Sequence, residues 1–291
     1  MKKIDVVINV YGKPWQTLCT LKSLMKVSGK HIDKIYFIEE KEQPYGDSVK
    51  FILNEFDNLI HYIPKEYVFT KITDRYMNNI TNRFSFRYQF GIEVTDKKYV
   101  FITHNDILYT DNIIEHLLSN IEGCAGTGLI GQCWNCPAFM GNLCDGDRHA
   151  EYNPTYEEVI TLTEKYKPAR YTQHNLLLDK NQPMPLPECR LYEFACLIDI
   201  NISKKECYPN GNTPLFGSYD TLDLGDAWFR SLILKGYKFK NYNIYNDCIH
   251  GYFSRLNTEY ISGYPTQLDQ QKYKNSEVFA KKYYEENFKN I

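Results

Sequence analysis

His104, Asn105 and Asp106 follow directly on the apolar run Tyr99-Val100-Phe101-Ile102. A carboxylate carried to the end of a buried strand is costly unless something pairs it. A capped turn is one way to pair it, with Asn105 or Asp106 bonding nearby backbone N–H groups. A cation or phosphate site is the other, since open α/β sheets place their ligands beyond the carboxyl ends of the strands. Two more polar features end apolar runs: the pair Glu39-Glu40 and the lone His250. The pair could accept hydrogen bonds from ribose hydroxyls or a base N–H. Asp106 could hold Mg²⁺ or Mn²⁺, and His250 could complete that shell, because imidazole suits Mn²⁺ better than Mg²⁺. Singly, such residues are most often a solvated acid pair and a structural histidine.

The elements that must position them alternate. Residues 3–12 form a β-branched run ending in a turn, and 13–29 carry Trp15, Leu18, Leu21, Leu24 and Met25 at helical spacing, with Gly29 placed to stop the helix. A second strand is expected over 33–40, a second helix over 46–58 and a third strand from Leu59. A helix over 82–94, a strand over 97–103 and a helix from Thr110 or Asp111 complete the first half. This alternation predicts a parallel, doubly wound sheet. After residue 125 the chain turns rich in Gly, Cys, Asn and Pro and reads as loop. Later come a helix at 156–166, a strand at 191–200, a helix from about Leu224 to Leu234, a strand and turn over 241–253, and a charged C-terminal helix. The division is 1–125 as a nucleotide-binding half, 126–260 as a second half of the same domain, and 261–291 as a helical tail.

Read in order, these segments resemble the inverting, sugar-nucleotide-dependent glycosyltransferases of the GT-A fold, particularly family 2 of bacteria. "DVVINVYGKPWQTLCTLKSL" is similar to the family's opening strand, turn and helix. "IDKIYFIEE" is similar to its second strand, and "FRYQFGIEVTDKKYVFITHNDIL" to its helix leading into the acidic metal motif. "FGSYDTLDLGDAWFRSLILKGYKF" resembles the segment that supplies the catalytic base, and "NDCIHGY" the late histidine. The resemblance spans about residues 4 to 252. It implies an α/β GT-A (Rossmann-like) fold with a mixed, mostly parallel sheet flanked by helices and a loop-rich acceptor-side half. It further implies donor contacts at Tyr11, Glu39, Glu40, Arg87 and Asn105, a divalent Mn²⁺ or Mg²⁺ at Asp106 and His250, and a general base at Asp226, with Asp223 as the alternative. Asp226 also stands where a helix N-cap would, a role that needs no chemistry. Three positions depart from the pattern. His104 replaces the first acid of Asp-x-Asp, Gly12 replaces an Asn after Tyr11, and Gly225 replaces the first acid of the catalytic pair.

The expected reaction moves a sugar from a nucleoside diphosphate donor to a glycan acceptor hydroxyl, with bacterial capsule, lipooligosaccharide or O-antigen synthesis as the associated setting. The missing acid at 104 supports a different class, a non-catalytic sugar-nucleotide or glycan-binding module on the same fold. A nucleotidyltransferase ranks last, since no Gly-rich phosphate loop follows the first strand.

The chain carries nine cysteines. Cys133 and Cys136 have the spacing of a shared tetrahedral ion, and Cys144 with Cys189 could complete a structural Zn²⁺ site; Cys124 and His149 are the other candidates. Buried, reduced thiols are the commoner state. With 34 basic and 36 acidic residues and a net charge of -2, no global field draws the chain to nucleic acid. No apolar run approaches a membrane span, and the opening resembles a first strand more than a signal peptide, so a cytoplasmic location is expected. Lys272, Lys274, Lys281 and Lys282 could touch the inner membrane peripherally, although Glu277, Glu285 and Glu286 dilute them.

Overall fold

The computed structural model describes residues 2–66, 77–131, 135–217, 223–255 and 269–289. Its centre is a seven-stranded sheet built from β1 (Ile4–Val10), β2 (Ile32–Glu39), β3 (Leu59–Tyr62), β4 (Tyr99–Thr103), β6 (Gly126–Ile130), β7 (Leu191–Asp199) and β8 (Phe239–Asn241). The spatial order is β3-β2-β1-β4-β7-β6-β8. β5 (Ile107–Tyr109) and β9 (Cys248–His250) form a separate antiparallel ribbon. The main helices are α1 (Pro14–Ser28), α2 (Gln89–Val94), α3 (Ile113–Asn120), α4 (Tyr156–Tyr166), α5 (Asp226–Leu234) and α6 (Gln270–Asn287).

All seven residues of β1 are buried, as expected of an inner strand covered on both faces. Its side chains alternate between two cores. Val6, Ile8 and Val10 join Leu18, Leu21 and Leu24 of α1 on one face, while Val7 joins Tyr36 and Ile92 of α2 on the other. β1 pairs in parallel with β2 and β4, and β2 with β3. β7 breaks the parallel run of the alternating strands and runs antiparallel to both β4 and β6. The sheet is therefore mixed and mostly parallel, and it passes without a break from the first half of the chain into the second.

Three local expectations also change. Residues 46–58 hold no α-helix, only the 3₁₀ turns Pro44–Gly46 and Lys50–Asn54, with Val49 and Ile52 buried and Leu53 and Phe56 packed partly against the core. The helix expected over 82–94 is two pieces, Ile80–Arg83 and Gln89–Val94, separated where Tyr88 takes a φ of 68°. "GTGLI", read as loop from its glycines, is strand β6, clamped between β7 and β8. Pairing on both edges overrides the weak strand propensity of glycine.

The C-terminal helix α6 is not a solvated appendage. It buries Tyr273, Ser276, Glu277 and Ala280, and Glu277 accepts the Trp15 N–H at 2.8 Å and the Gln16 amide at 3.0 Å. One carboxyl of α6 thus serves the open N-terminus of α1. Burial pushes the Glu277 pKa up to about 7. The folded protein then binds a proton here that the unfolded chain has released, so this group costs stability as pH rises between its unfolded and folded values. Urea unfolding at pH 5 and pH 8 should show the wild type losing roughly 2–3 kcal/mol more than Glu277→Gln over that interval. Equal losses would remove Glu277 as the cause. Among the described residues no helix is long and apolar enough to cross a membrane.

Candidate active site

The strand end that carries Asp106 meets the β5–β9 ribbon. Ile107 pairs with His250, and the Gly251 N–H donates to the Asp106 carbonyl at 2.8 Å, so the histidine is set beside the carboxylate by backbone pairing. The His250 ring stacks flat on Phe194, with centroids 4.4 Å apart and planes 6° apart. His104 leaves the end of β4, its ring centroid 5.4 Å from that of His250. One ligand atom from each of His104, Asp106 and His250 lies within 4.8 Å of the others. His250 Nε2 is 3.3 Å from Asp106 Oδ1. Asp106 Oδ1 and His104 Nε2 are both buried and make no hydrogen bond.

Such orphaned atoms are rare in a settled interior and call for a partner. Two imidazoles and one carboxylate oxygen suit Mn²⁺ or a later transition metal better than Mg²⁺, which prefers oxygen. The residues therefore fit a divalent cation. Burial lowers the His104 pKa, which favours the neutral imidazole that can ligate a metal. The other Asp106 oxygen, Oδ2, is already taken by the Lys13 ammonium at 2.8 Å, with both side chains buried. Burial acts to raise the Asp106 pKa, yet Lys13 and then His250 hold it well below the usual carboxylate range.

From His104 a line of charges leads to the expected base. His104 Nε2 lies 3.6 Å from Glu193, and Glu193 lies 3.2 Å from Arg190. Arg190, almost fully buried, reaches Asp223 at 3.2 Å and Asp226 at 3.8 Å and donates to the Leu224 carbonyl. Burial works against ionisation of Glu193, but the adjacent Arg190 brings its pKa down to about 2. Asp226 behaves oppositely. Burial outweighs Arg190 and raises its pKa well above the usual value. It sits in the first turn of α5, accepts the Asp223 N–H at 2.8 Å and leaves Oδ1 without a hydrogen bond. Its neighbour Gly225, placed where an acid was expected, adopts a φ of 84°, a conformation that favours glycine.

The remaining expected donor contacts gather at the ends of β1 and β2. Glu40 accepts from Asn9 at 2.7 Å and lies 3.8 Å from Arg87, and burial raises its pKa. Glu39 is on the other side of the chain, paired with His61 at 2.7 Å. Tyr11 is 40% exposed, as a ring open to a flat ligand would be. Asn105 turns inward instead and donates to the Gly12 carbonyl at 3.0 Å and to Thr17, which fixes the β1–α1 turn. Gly12 has a φ of +65°, and a side chain there would meet Pro44 and the Tyr273 hydroxyl within 2.7 Å. The packing of the turn thus favours glycine at this position.

Of the cysteines, Cys133 lies outside the described residues. Cys136, Cys144 and Cys189 line one cavity of about 20 Å³, but no ligand group of three or more among the described residues contains a cysteine. Asp111, His116 and Asp247 form a second group at the far end of the β5–β9 ribbon. There His116 donates to the Asp247 carboxylate at 3.1 Å and Tyr242 at 2.7 Å, which accounts for its buried charge.

No protein-family model matches the chain, and no curated protein does. Solved structures do. A mannosyltransferase from Pyrobaculum calidifontis, in complex with GDP-Man and Mn²⁺, is 9% identical with a TM-score of 0.47, over 83% of this chain and 55% of that one. The glycosyltransferase GlyE of Streptococcus pneumoniae is 13% identical with a TM-score of 0.40, over 84% of this chain and 47% of that one. TarS of S. aureus, in complex with UDP-GlcNAc, is 10% identical with a TM-score of 0.32, over 44% of this chain and 34% of that one. This chain thus spans about half the length, or less, of the structures it matches. At such identities and scores the activity has to be argued from the residues of the site itself.

Sequence reasoning overlooked Lys13 and Glu193, and it noted His104 as a replaced acid without placing it among the metal ligands. His104 and Asp106 stand two apart after a strand, a spacing that can place both on one side of the chain. Glu193 comes from β7 and Arg190 from the residue before that strand, far along the chain, and only the antiparallel pairing with β4 brings them near.

Proposed function

We propose that this chain is a glycosyltransferase that takes a sugar from a nucleoside diphosphate donor to an acceptor hydroxyl with inversion. The observation that carries this reading is the convergence of His104, Asp106 and His250 at the end of the inner strand, with two buried ligand atoms left open. The donor base and ribose would lie over Tyr11, Glu40 and Arg87, and the diphosphate at Asp106. A divalent cation bound there supplies Lewis-acid stabilisation of the charge that builds on the departing phosphate. Glu193 sets a negative charge beside the His104 ring, and Arg190 holds Glu193, Asp223 and Asp226 together.

Asp226 is the proposed base. A carboxylate with a raised pKa is better matched to accepting a hydroxyl proton near neutral pH than an ordinary one. Asp223, on the same guanidinium but more exposed, is assigned to holding Arg190. The acceptor is read as a glycan of the bacterial surface, by the sequence resemblance alone. A structural zinc at the cysteines is not needed by this reading.

The test is turnover across a panel of UDP- and GDP-sugars with Mn²⁺, for the wild type and two variants. Asp226→Asn should lose at least about 100-fold in kcat while still binding donor, and Asp223→Asn should stay within about tenfold. The reverse order would move the base to Asp223. Donor binding without turnover across the whole panel would leave a sugar-nucleotide-binding module.

A further inference from the structure

The Lys13 ammonium occupies the carboxylate oxygen that a second metal-ligand bond or a diphosphate-bridging cation would otherwise use, and its place there is enforced. Lys13 is buried and holds a left-handed backbone conformation, φ 56° and ψ 49°, that a non-glycine residue keeps only when its surroundings require it. Those surroundings are visible. The Lys13 N–H donates to the Tyr273 hydroxyl at 2.6 Å, and its carbonyl accepts both the N–H and the hydroxyl of Thr17 at 2.7 Å. The preceding residue is tied by Asn105 from the end of β4 and by Gln43 at 2.6 Å. Strand β4, helix α1 and helix α6 thus hold one short turn, and the side chain leaving it reaches Asp106 Oδ2 at 2.8 Å.

The charge balance follows. The cation-binding set contains one carboxylate, and that carboxylate already has a fixed positive partner. The set offers one carboxylate already matched by one ammonium, whereas a two-carboxylate site without a lysine presents two negative charges. An incoming divalent ion would therefore meet less attraction here, and Lys13 would remain as a positive charge in the site whether or not an ion is present.

We propose that Lys13 is a resident counter-cation of the donor site, which weakens divalent-metal binding at Asp106 and itself attracts the donor's diphosphate. Donor binding is then only partly metal-dependent. The diphosphate half of this proposal rests on the donor-site reading above; the metal half rests only on the His104, Asp106 and His250 set.

The experiment uses the full chain and two variants, Lys13→Met and Lys13→Gln, the second keeping a polar donor near Asp106 should the first fail to fold. Mn²⁺ binding is titrated without nucleotide, and UDP and GDP binding is titrated in EDTA, with thermal melts alongside. The folded variants should bind Mn²⁺ at least about tenfold more tightly than the wild type while melting at a lower temperature. In EDTA they should bind the preferred nucleoside diphosphate at least about tenfold more weakly. A merely structural lysine would lose metal affinity and stability together. Unchanged or weaker Mn²⁺ binding in a folded variant, or none in wild type and variants alike, overturns the proposal. Tighter Mn²⁺ binding in the variants, with no nucleoside diphosphate bound by any form, would keep the metal half and overturn the donor-site reading.

Discussion

Asp106→Asn is expected to abolish Mn²⁺ binding and to lower transfer by at least about 1,000-fold, because it removes the only carboxylate among the three converging ligands. It is also expected to destabilise the fold. Lys13 loses its charged partner while remaining buried, and breaking a buried pair from one side costs on the order of 3–5 kcal/mol. Asparagine still offers an oxygen to the ammonium, so the lower end of that range applies. The two effects can be separated. Lys13→Met combined with Asp106→Asn removes both charges and should recover most of the lost stability in urea unfolding, with transfer still absent. A double variant as unstable as Asp106→Asn alone would mean that the unpaired ammonium is not what destabilises the single variant. Full transfer by Asp106→Asn in EDTA would remove the metal from the reaction and leave the Lys13 ammonium as the positive charge at this position.

The parts of this site that the sequence made legible are those built from neighbours in the chain. β1, α1, β2 and β4 each declare themselves through a local period, and Asp106, Glu39 and Glu40 follow from standing at the ends of such runs. His250 was visible for the same reason, at the end of the short strand β9. What the chain conceals is set by pairing between distant segments. β6 looks like loop because its glycines carry no side-chain pattern, and only its neighbours β7 and β8 make it a strand. The antiparallel direction of β7 has no local signature, so nothing in the sequence shows that Glu193 is buried beside His104 with Arg190 behind it. Lys13 is concealed differently. A lysine after a turn is ordinarily solvated, and nothing nearby in sequence reveals that Tyr273, some 260 residues on, pins its backbone. Glu277 likewise looks like one charge among many on a polar helix until α6 is seen against the N-terminus of α1.

The buried guanidinium supports the second large effect. Arg190→Met should destabilise the protein by about 3–5 kcal/mol at pH 7, since Glu193 and Asp226 remain buried without the charge that faces both. The loss should depend on pH with a definite sign. In the wild type, Arg190 keeps the folded pKa of Glu193 down at about 2, below the unfolded value. That contribution is present above the unfolded pKa, amounts to about 3 kcal/mol, and is lost only as pH falls through the folded value. Without Arg190, burial is opposed only by the weaker contacts to His104 and to backbone N–H groups, and the folded variant takes up protons that the unfolded chain releases. Its deficit relative to the wild type should therefore be largest at pH 7 and smaller, though still present, at pH 5. Urea titrations of the two proteins at those pH values measure it. A deficit independent of pH would assign the loss to packing of the arginine stem against Tyr192, whose ring lies 4.9 Å from the guanidinium, rather than to the carboxylates. Arg190→Lys separates charge from shape. A single ammonium cannot reach Glu193, Asp223, Asp226 and the Leu224 carbonyl together as a planar fork can, so the lysine variant should recover stability at pH 7 only in part.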